Sequence, residues 1–65
     1  MASELIPLSG ENDNSATTLK ACIGECDGDW QCAAGLKCFQ RTWREHVPGC
    51  SGDGYLGWDY CYDPT

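Results

Sequence analysis

The sequence predicts a small disulfide-rich fold: a short two- or three-stranded antiparallel sheet, long loops and at most one helical turn. The chain has only 65 residues, which is too few to bury a large apolar core. Six cysteines fall between residues 22 and 61, and an even number in so short a chain indicates a disulfide framework formed in an oxidising compartment. Eight glycines interrupt the chain, which favours short elements joined by turns.

Two parts of the chain differ in composition. Residues 1–21 contain no cysteine and are rich in polar side chains, so we predict a flexible leader or linker there. Residues 22–65 form the predicted disulfide-stapled module. Four leucine and isoleucine side chains leave open the alternative that the first part packs back onto the module: Leu5, Ile6, Leu8 and Leu19.

Local signals predict the elements of the module. Residues 29–37 could hold the helical turn, with Asp29 as its N-cap and Gly35 at its end. Residues 38–43 and 58–62 have the aromatic and β-branched content of short strands. An extended conformation of the first stretch would place three side chains on one face: Phe39, Arg41 and Trp43.

The disulfide pairing is open, because six cysteines allow fifteen connectivities. The four closely spaced cysteines could alternate in their pairing while the last two close a hairpin-like loop. That reasoning favours three pairs, with a knotted arrangement as the main alternative: Cys22–Cys32, Cys26–Cys38 and Cys50–Cys61.

The formal net charge is −6, with four basic residues spread along the chain. This argues against nucleic acid and anionic membranes, whose phosphates require clustered lysine and arginine. No apolar stretch is long enough for a membrane span, so we expect no membrane insertion. We expect a secreted or surface-exposed monomer, or one part of a larger multidomain protein.

Three acidic side chains around Gly28 are candidate calcium ligands: Glu25, Asp27 and Asp29. Alternate carboxylates in a glycine-containing loop can direct oxygen atoms at Ca²⁺, although the full EF-hand pattern is absent. The alternative is a solvated turn in which these aspartates accept hydrogen bonds from backbone N–H groups. No other cofactor is predicted.

An aromatic alternation near the end of the chain is the candidate ligand site. Trp58, Tyr60 and Tyr62 would share one face of a strand, opposite Cys61. If that face points outward, with Trp43 beside it and Arg41 supplying donors, it suits the apolar faces and hydroxyls of a glycan. The alternative is that these rings form the core of the module.

Catalytic constellations are missing from the sequence. A single histidine, cysteines committed to bridges and no nucleophile-elbow serine leave no activated nucleophile. We therefore predict that the chain is not an enzyme.

Three blocks of sequence carry a resemblance to known proteins: residues 24–41 (GECDGDWQCAAGLKCFQR), 47–50 (VPGC) and 58–64 (WDYCYDP). Together they resemble a cysteine-rich module that recurs in predicted secreted or surface proteins of diatoms and other marine microbes. The resemblance implies an extracellular repeat module, with no established activity to transfer. A looser similarity, between Cys26 and Cys38, is to knottin toxins and other cystine-rich inhibitors.

Three functions follow as hypotheses. The first is a non-catalytic extracellular binding module for a glycan, a surface polymer or an extracellular protein, contacted by the aromatic face. The second is a calcium-binding structural or adhesion module. The third is a secreted toxin or protease inhibitor that presents residues 42–49, with Arg44 at the contact.

Overall fold

The computed structural model describes residues 5–12 and 15–65. Three disulfides, short strands and a single turn of 3-10 helix over these residues confirm the predicted small disulfide-rich fold. The helix is Asp29–Gln31. The strands are β1 (Ile6–Pro7), β2 (Ser9–Gly10), β3 (Ile23–Gly24), β4 (Lys37–Phe39), β5 (Cys50–Ser51) and β6 (Tyr60–Tyr62).

The described strands form two small sheets. In the larger, the order is β2-β3-β6-β4, and β6 runs antiparallel to both β3 and β4. These three strands agree with the predicted two- or three-stranded antiparallel sheet, although β3 lies outside the two stretches predicted as strands. Two parallel pairings add to it: β2 lies beside β3, and β1 pairs with β5 in a separate two-stranded sheet.

The segment before the first cysteine supplies β1 and β2, the two strands that pair in parallel with strands of the module. Residues 5–12, which we call the arm, run along β5 and then along β3, and Leu8 packs half-buried against the core. The described part of the predicted leader therefore has backbone partners in the module. The division of the chain at residue 21 stays a prediction, and residues 1–4 and 13–14 lie outside the described residues.

The disulfide pairing differs from the predicted one in two of three bridges. The bridges are Cys22–Cys50, Cys26–Cys38 and Cys32–Cys61. The predicted Cys26–Cys38 bridge is confirmed, whereas the predicted pairs Cys22–Cys32 and Cys50–Cys61 are wrong. The reason is the position of β6, because Cys61 points to one face of this strand and the Cys22–Cys50 bridge lies on the other.

Strand β6 separates two buried clusters. One contains Tyr60 with the first bridge, namely Cys22, Val47, Cys50 and Tyr60. The other consists of the remaining bridges, namely Cys26, Cys32, Cys38 and Cys61. Successive side chains of a strand point to opposite faces, and here both faces of β6 are covered. The alternation of Tyr60 and Cys61 is therefore as expected, but Tyr60 faces a core and not solvent.

The helical turn is shorter than predicted, and Asp29 does not cap it. The 3-10 helix ends at Gln31, its N-cap position is Gly28, and no side chain caps it. The Asp29 Oδ1 atom instead accepts a hydrogen bond from the backbone N–H of Cys38, at 2.9 Å. Because β4 is an edge strand, this carboxylate covers a backbone donor that would otherwise face solvent.

The predicted strand over residues 38–43 ends early. Strand β4 stops at Phe39, Arg41 turns into the interior, and Trp43 lies in a turn with φ of +59°. Phe39, Arg41 and Trp43 therefore do not share one face. The change of direction accompanies the hydrogen bonds that the buried Arg41 side chain makes.

Candidate binding site

The buried side chain of Arg41 connects two surface loops through their backbone carbonyl groups. Its Nε donates to the carbonyl of Trp58 at 2.7 Å, and its Nη2 donates to that of Tyr55 at 2.6 Å. Its Nη1 donates to the carbonyl of Asp53 at 2.7 Å and to that of Glu45 at 3.3 Å. The planar, forked guanidinium suits this task because it offers five donors in fixed directions.

The aromatic ring of Tyr60 forms the floor of this arrangement. The guanidinium carbon of Arg41 lies 4.9 Å from the ring centroid, within the range of a cation–π contact. The Tyr60 hydroxyl accepts a hydrogen bond from the backbone N–H of Tyr55 at 3.0 Å, and the backbone N–H of Arg41 donates to Asp59 Oδ1 at 2.8 Å. We call Arg41, Tyr60 and the four bound carbonyls the arginine clamp.

The first clamped loop, residues 42–46, presents Trp43. Two hydrogen bonds between Thr42 and Glu45, each 3.1 Å, close the turn around it. The Trp43 side chain is 73% exposed, and its positive φ is uncommon for a bulky residue. Val47, which is 0% exposed, anchors the end of the loop in the core. The loop therefore holds a large apolar ring in solvent at a cost in backbone strain.

The second clamped loop, residues 52–58, presents Tyr55 and Leu56, which are both exposed. A hydrogen bond of 3.1 Å from the Trp58 N–H to the Tyr55 carbonyl closes its turn. The rings of Tyr55 and Trp58 have centroids 4.6 Å apart and planes inclined at 46°. At Gly54 the backbone has φ of +65°, and a Cβ atom there would lie 2.8 Å from the Tyr60 hydroxyl, so glycine is required.

The two loops share one anchor. The Nη1 atom of Arg41 binds a carbonyl from each loop, so the two turns are held side by side. The loop face is the name we give to their exposed apolar side chains: Trp43, Tyr55 and Leu56. A surface whose backbone is fixed before binding loses less conformational entropy when a partner docks.

The structure separates the aromatic residues that the sequence predicts as ligand contacts. Trp43 is exposed, Trp58 and Tyr62 are half-buried, and Tyr60 is 1% exposed. Arg41 is buried as well, and the carbonyls of the clamp take the donors that the sequence analysis assigns to a ligand. A ligand that approaches from solvent would meet the exposed Trp43, whereas Tyr60 and Arg41 are buried.

Tyr62 lies at a different place from the loop face. Its ring packs edge-on against Phe39, with centroids 5.2 Å apart and planes at 79°. This geometry is typical of a structural aromatic pair.

Sequence reasoning missed Tyr55 and Leu56. The signal was present, because these two apolar residues lie between Gly54 and Gly57 in a short loop that is otherwise polar or glycine from residue 51 to residue 57. An apolar pair at the tip of a glycine-bounded loop predicts exposure, and exposure of apolar side chains marks interaction sites.

The predicted calcium ligands do not converge on one point. Glu25 Oε2 accepts a hydrogen bond from the backbone N–H of Asp59 at 3.3 Å, while Asp29 binds Cys38 and lies 3.8 Å from the Lys37 ammonium. Within the described residues, the one group of three possible metal ligands is Cys26, Cys32 and Cys61, whose sulfur atoms are in disulfides. Glu25, Asp27 and Asp29 do not form such a group.

Glu25 nevertheless has an unusual environment. Partial burial raises the pKa of its carboxyl above the ordinary value of 4.5, and the nearby charges of Asp27 and Asp59 raise it further. The hydrogen bond from the Asp59 N–H opposes this by favouring the charged form. Glu25 is therefore easier to protonate than a free glutamate.

Over residues 5–12 and 15–65 there is no helix with the length and apolar character that crossing a membrane requires. No protein-family model matches this chain, and no curated protein or solved structure does so either.

Proposed function

We propose that this chain is a non-catalytic, secreted binding module that docks onto an extracellular partner protein through the loop face. The observation that carries the proposal is Trp43, a tryptophan that is 73% exposed at a strained position in a loop that a hydrogen bond from Arg41 holds in place. Strain and exposure of this kind do not stabilise the fold, so they favour a role in recognition.

The chemistry of the loop face favours a protein as the partner. Tryptophan and tyrosine dominate the binding energy of protein interfaces when they insert into pockets of the partner. Glycan recognition needs side-chain donors beside the ring, and Arg41, the donor that the sequence analysis assigns to this role, is occupied by backbone carbonyls. With a net charge of −6, the module suits a partner whose apolar pocket is surrounded by basic side chains.

The test is a binding screen with matched tryptophan variants. The biotinylated full chain, with disulfides intact, is applied to an array of purified secreted and ectodomain proteins and, in parallel, to a glycan array. Trp43→Ala removes the largest exposed apolar side chain of the loop face. Trp30→Ala is the matched control, because Trp30 is also 73% exposed but belongs to the 3-10 helix.

We expect Trp43→Ala to weaken binding to the captured protein by about 30-fold or more, as for an interface hot spot of about 2 kcal/mol. Trp30→Ala should leave the affinity within about twofold. Binding to no protein on the array, or equal losses in the two variants, would contradict the proposal.

A glycan is the second candidate, and the Tyr55–Trp58 ring pair favours it. A sugar ring could pack against these two rings at the side of the loop face. This candidate predicts glycan-array binding that Trp58→Ala abolishes and Trp43→Ala spares, whereas binding to a protein partner through the loop face requires Trp43.

A further inference from the structure

The arm, residues 5–12, holds one of its sides against β5. The N–H of Leu8 donates to the carbonyl of Ser51 at 2.9 Å, and the N–H of Ile6 lies 3.5 Å from the carbonyl of Gly49. Between them stands Pro7, which has no N–H to donate. Strand β1 is the strand partner that the structure shows for β5 within the described residues.

The other side of the arm faces β3. The N–H groups of Ser9 and Glu11 donate to the carbonyls of Cys22 and Gly24, each at 3.1 Å. In return, the N–H of Glu25 donates to the carbonyl of Glu11 at 2.9 Å. The arm therefore lies between two walls of backbone groups, and we call the space between β3 and β5 the strand slot.

The walls of the strand slot are joined without the arm. The bridge Cys22–Cys50 links the residue before β3 to β5, and the two other bridges also lie entirely beyond residue 21. No cysteine occurs among residues 1–21, so the arm can leave without the loss of any covalent link. Its departure would leave the backbone groups of both walls without their partners, which an extended segment could replace.

Side chains set what can occupy the strand slot. Gly10 has φ of +132°, and a Cβ atom there would come within 1.8 Å of the Gly24 carbonyl oxygen, so the occupant needs glycine at this position. Two residues earlier it needs an apolar side chain, because Leu8 packs against the core cluster. The other described side chains of the arm are exposed, so they contribute little to the choice of occupant.

We propose that the strand slot is an exchangeable binding site for an extended segment, and that its partner is the arm of a second copy of this chain. The second copy carries the same apolar-x-glycine pattern and would make the same hydrogen bonds in the same parallel register. Exchange of identical elements needs no new contact, which makes it a low-cost route to dimers. It is favoured when the concentration of chains approaches the effective concentration of the attached arm, on the order of millimolar.

The first experiment opens the slot in the full chain. Gly10→Ala should displace the arm and shift the amide NMR signals of Ser51 and Glu25, while signals from β4 and β6 stay in place. A synthetic peptide with the sequence of residues 5–12 should then bind saturably and return the Glu25 signal toward its original position. The same peptide with alanine in place of Gly10 should not bind.

Two further variants keep this experiment decisive. Ser9→Ala, which changes an exposed side chain, should leave the arm docked. If Gly10→Ala fails to fold, Leu8→Ser opens the slot by removing the arm's core contact, and the same peptide is used. A peptide that fails to bind the opened slot, or an alanine peptide that binds equally well, would overturn the strand-acceptor site.

The second experiment tests the partner. Sedimentation equilibrium of the unaltered chain should show a dimer fraction that rises at concentrations on the order of millimolar, and Gly10→Ala should reduce this fraction at least tenfold. An unaltered chain that stays monomeric, or a dimer that Gly10→Ala does not weaken, would overturn the second copy as the partner of the slot.

Discussion

At the scale of single residues, Glu25 shows how burial and neighbouring charge act together. Its carboxyl group lies half-buried beside two other carboxylates, and it bonds the backbone of Asp59. A raised pKa in the folded state means that folding favours the protonated form. Ionisation of this group therefore opposes folding, and the effect depends on pH in a direction that can be worked out.

Replacement of Glu25 by glutamine gives the corresponding prediction. In the unfolded chain the carboxyl has its ordinary pKa of 4.5, and in the folded protein the pKa is higher. Well below pH 4.5, Glu25 is protonated in both the folded and the unfolded protein. The Glu25→Gln variant should therefore match the original protein in stability there. As pH rises from 4.5 through the folded pKa, the original protein should lose stability relative to the glutamine variant.

Urea unfolding at pH values from 3 to 8, with disulfides intact, measures this difference. Glu11→Gln removes the same charge from an exposed side chain and serves as the control. A glutamine variant that becomes relatively less stable as pH rises would show that the pKa of Glu25 is lowered by folding, contrary to our expectation.

At the scale of elements, the loops depend on Arg41 more than on their own sequences. Residues 42–46 and 52–58 contain no strand or helix, and their carbonyls would have no partner in the interior without the clamp. A lysine at this position keeps the charge but cannot reach four acceptors at once, because it has one nitrogen atom and no planar fork.

We therefore expect Arg41→Lys to lower the free energy of unfolding by about 3 kcal/mol, given that a hydrogen bond to a charged group contributes roughly 1.5–3 kcal/mol. Arg44→Lys, at an exposed position of the first clamped loop, should change it by less than about 0.5 kcal/mol. Denaturant unfolding under non-reducing conditions gives both values. Equal effects of the two substitutions would mean that the clamp does not hold the loops.

The elements also show what could be predicted from the sequence and what could not. The cysteine count and the turn residues were sufficient for the fold class, and the strand around Cys61 follows from its aromatic content. Asp29 has the local pattern of an N-cap, but a distant donor, the Cys38 N–H, takes its carboxylate. Local patterns do not include such competition between near and distant partners.

The misassigned disulfides and the burial of Arg41 have the same origin. Spacing along the chain does not reveal that Cys50 and Cys61 lie on opposite sides of β6, since this depends on where the arm and β5 lie. A buried arginine likewise has no local signature, because its four acceptors come from residues up to 17 positions away. For the candidate site, the sequence analysis identified Trp43 but placed it with buried residues.

At the scale of the whole molecule, the two buried clusters consist largely of cystine. Tyr60 and Val47 are the buried apolar side chains besides cysteine in the described core. In the chain-entropy model, each of the two longer bridges contributes about 3.6 kcal/mol and the shorter one about 2.9 kcal/mol. A small domain rarely has more than about 5 kcal/mol of stability from its core alone.

Reduction of all three bridges should therefore unfold the protein at neutral pH and room temperature. Amide NMR signals should lose their dispersion on addition of a strong thiol reductant, and free-thiol labelling should report six groups. Reoxidation should restore the spectrum. A reduced protein that keeps dispersed signals would show that apolar packing and hydrogen bonds suffice without the bridges.

The arginine clamp has a consequence for how this surface could change over time. Arg41 holds main-chain oxygens, and every amino acid supplies the same oxygen at its position in the chain. Substitutions at the outward positions 43, 44 and 56 can therefore alter what the loops recognise while their scaffold persists. The domain is in this respect a display platform, suited to diversification by selection or by design.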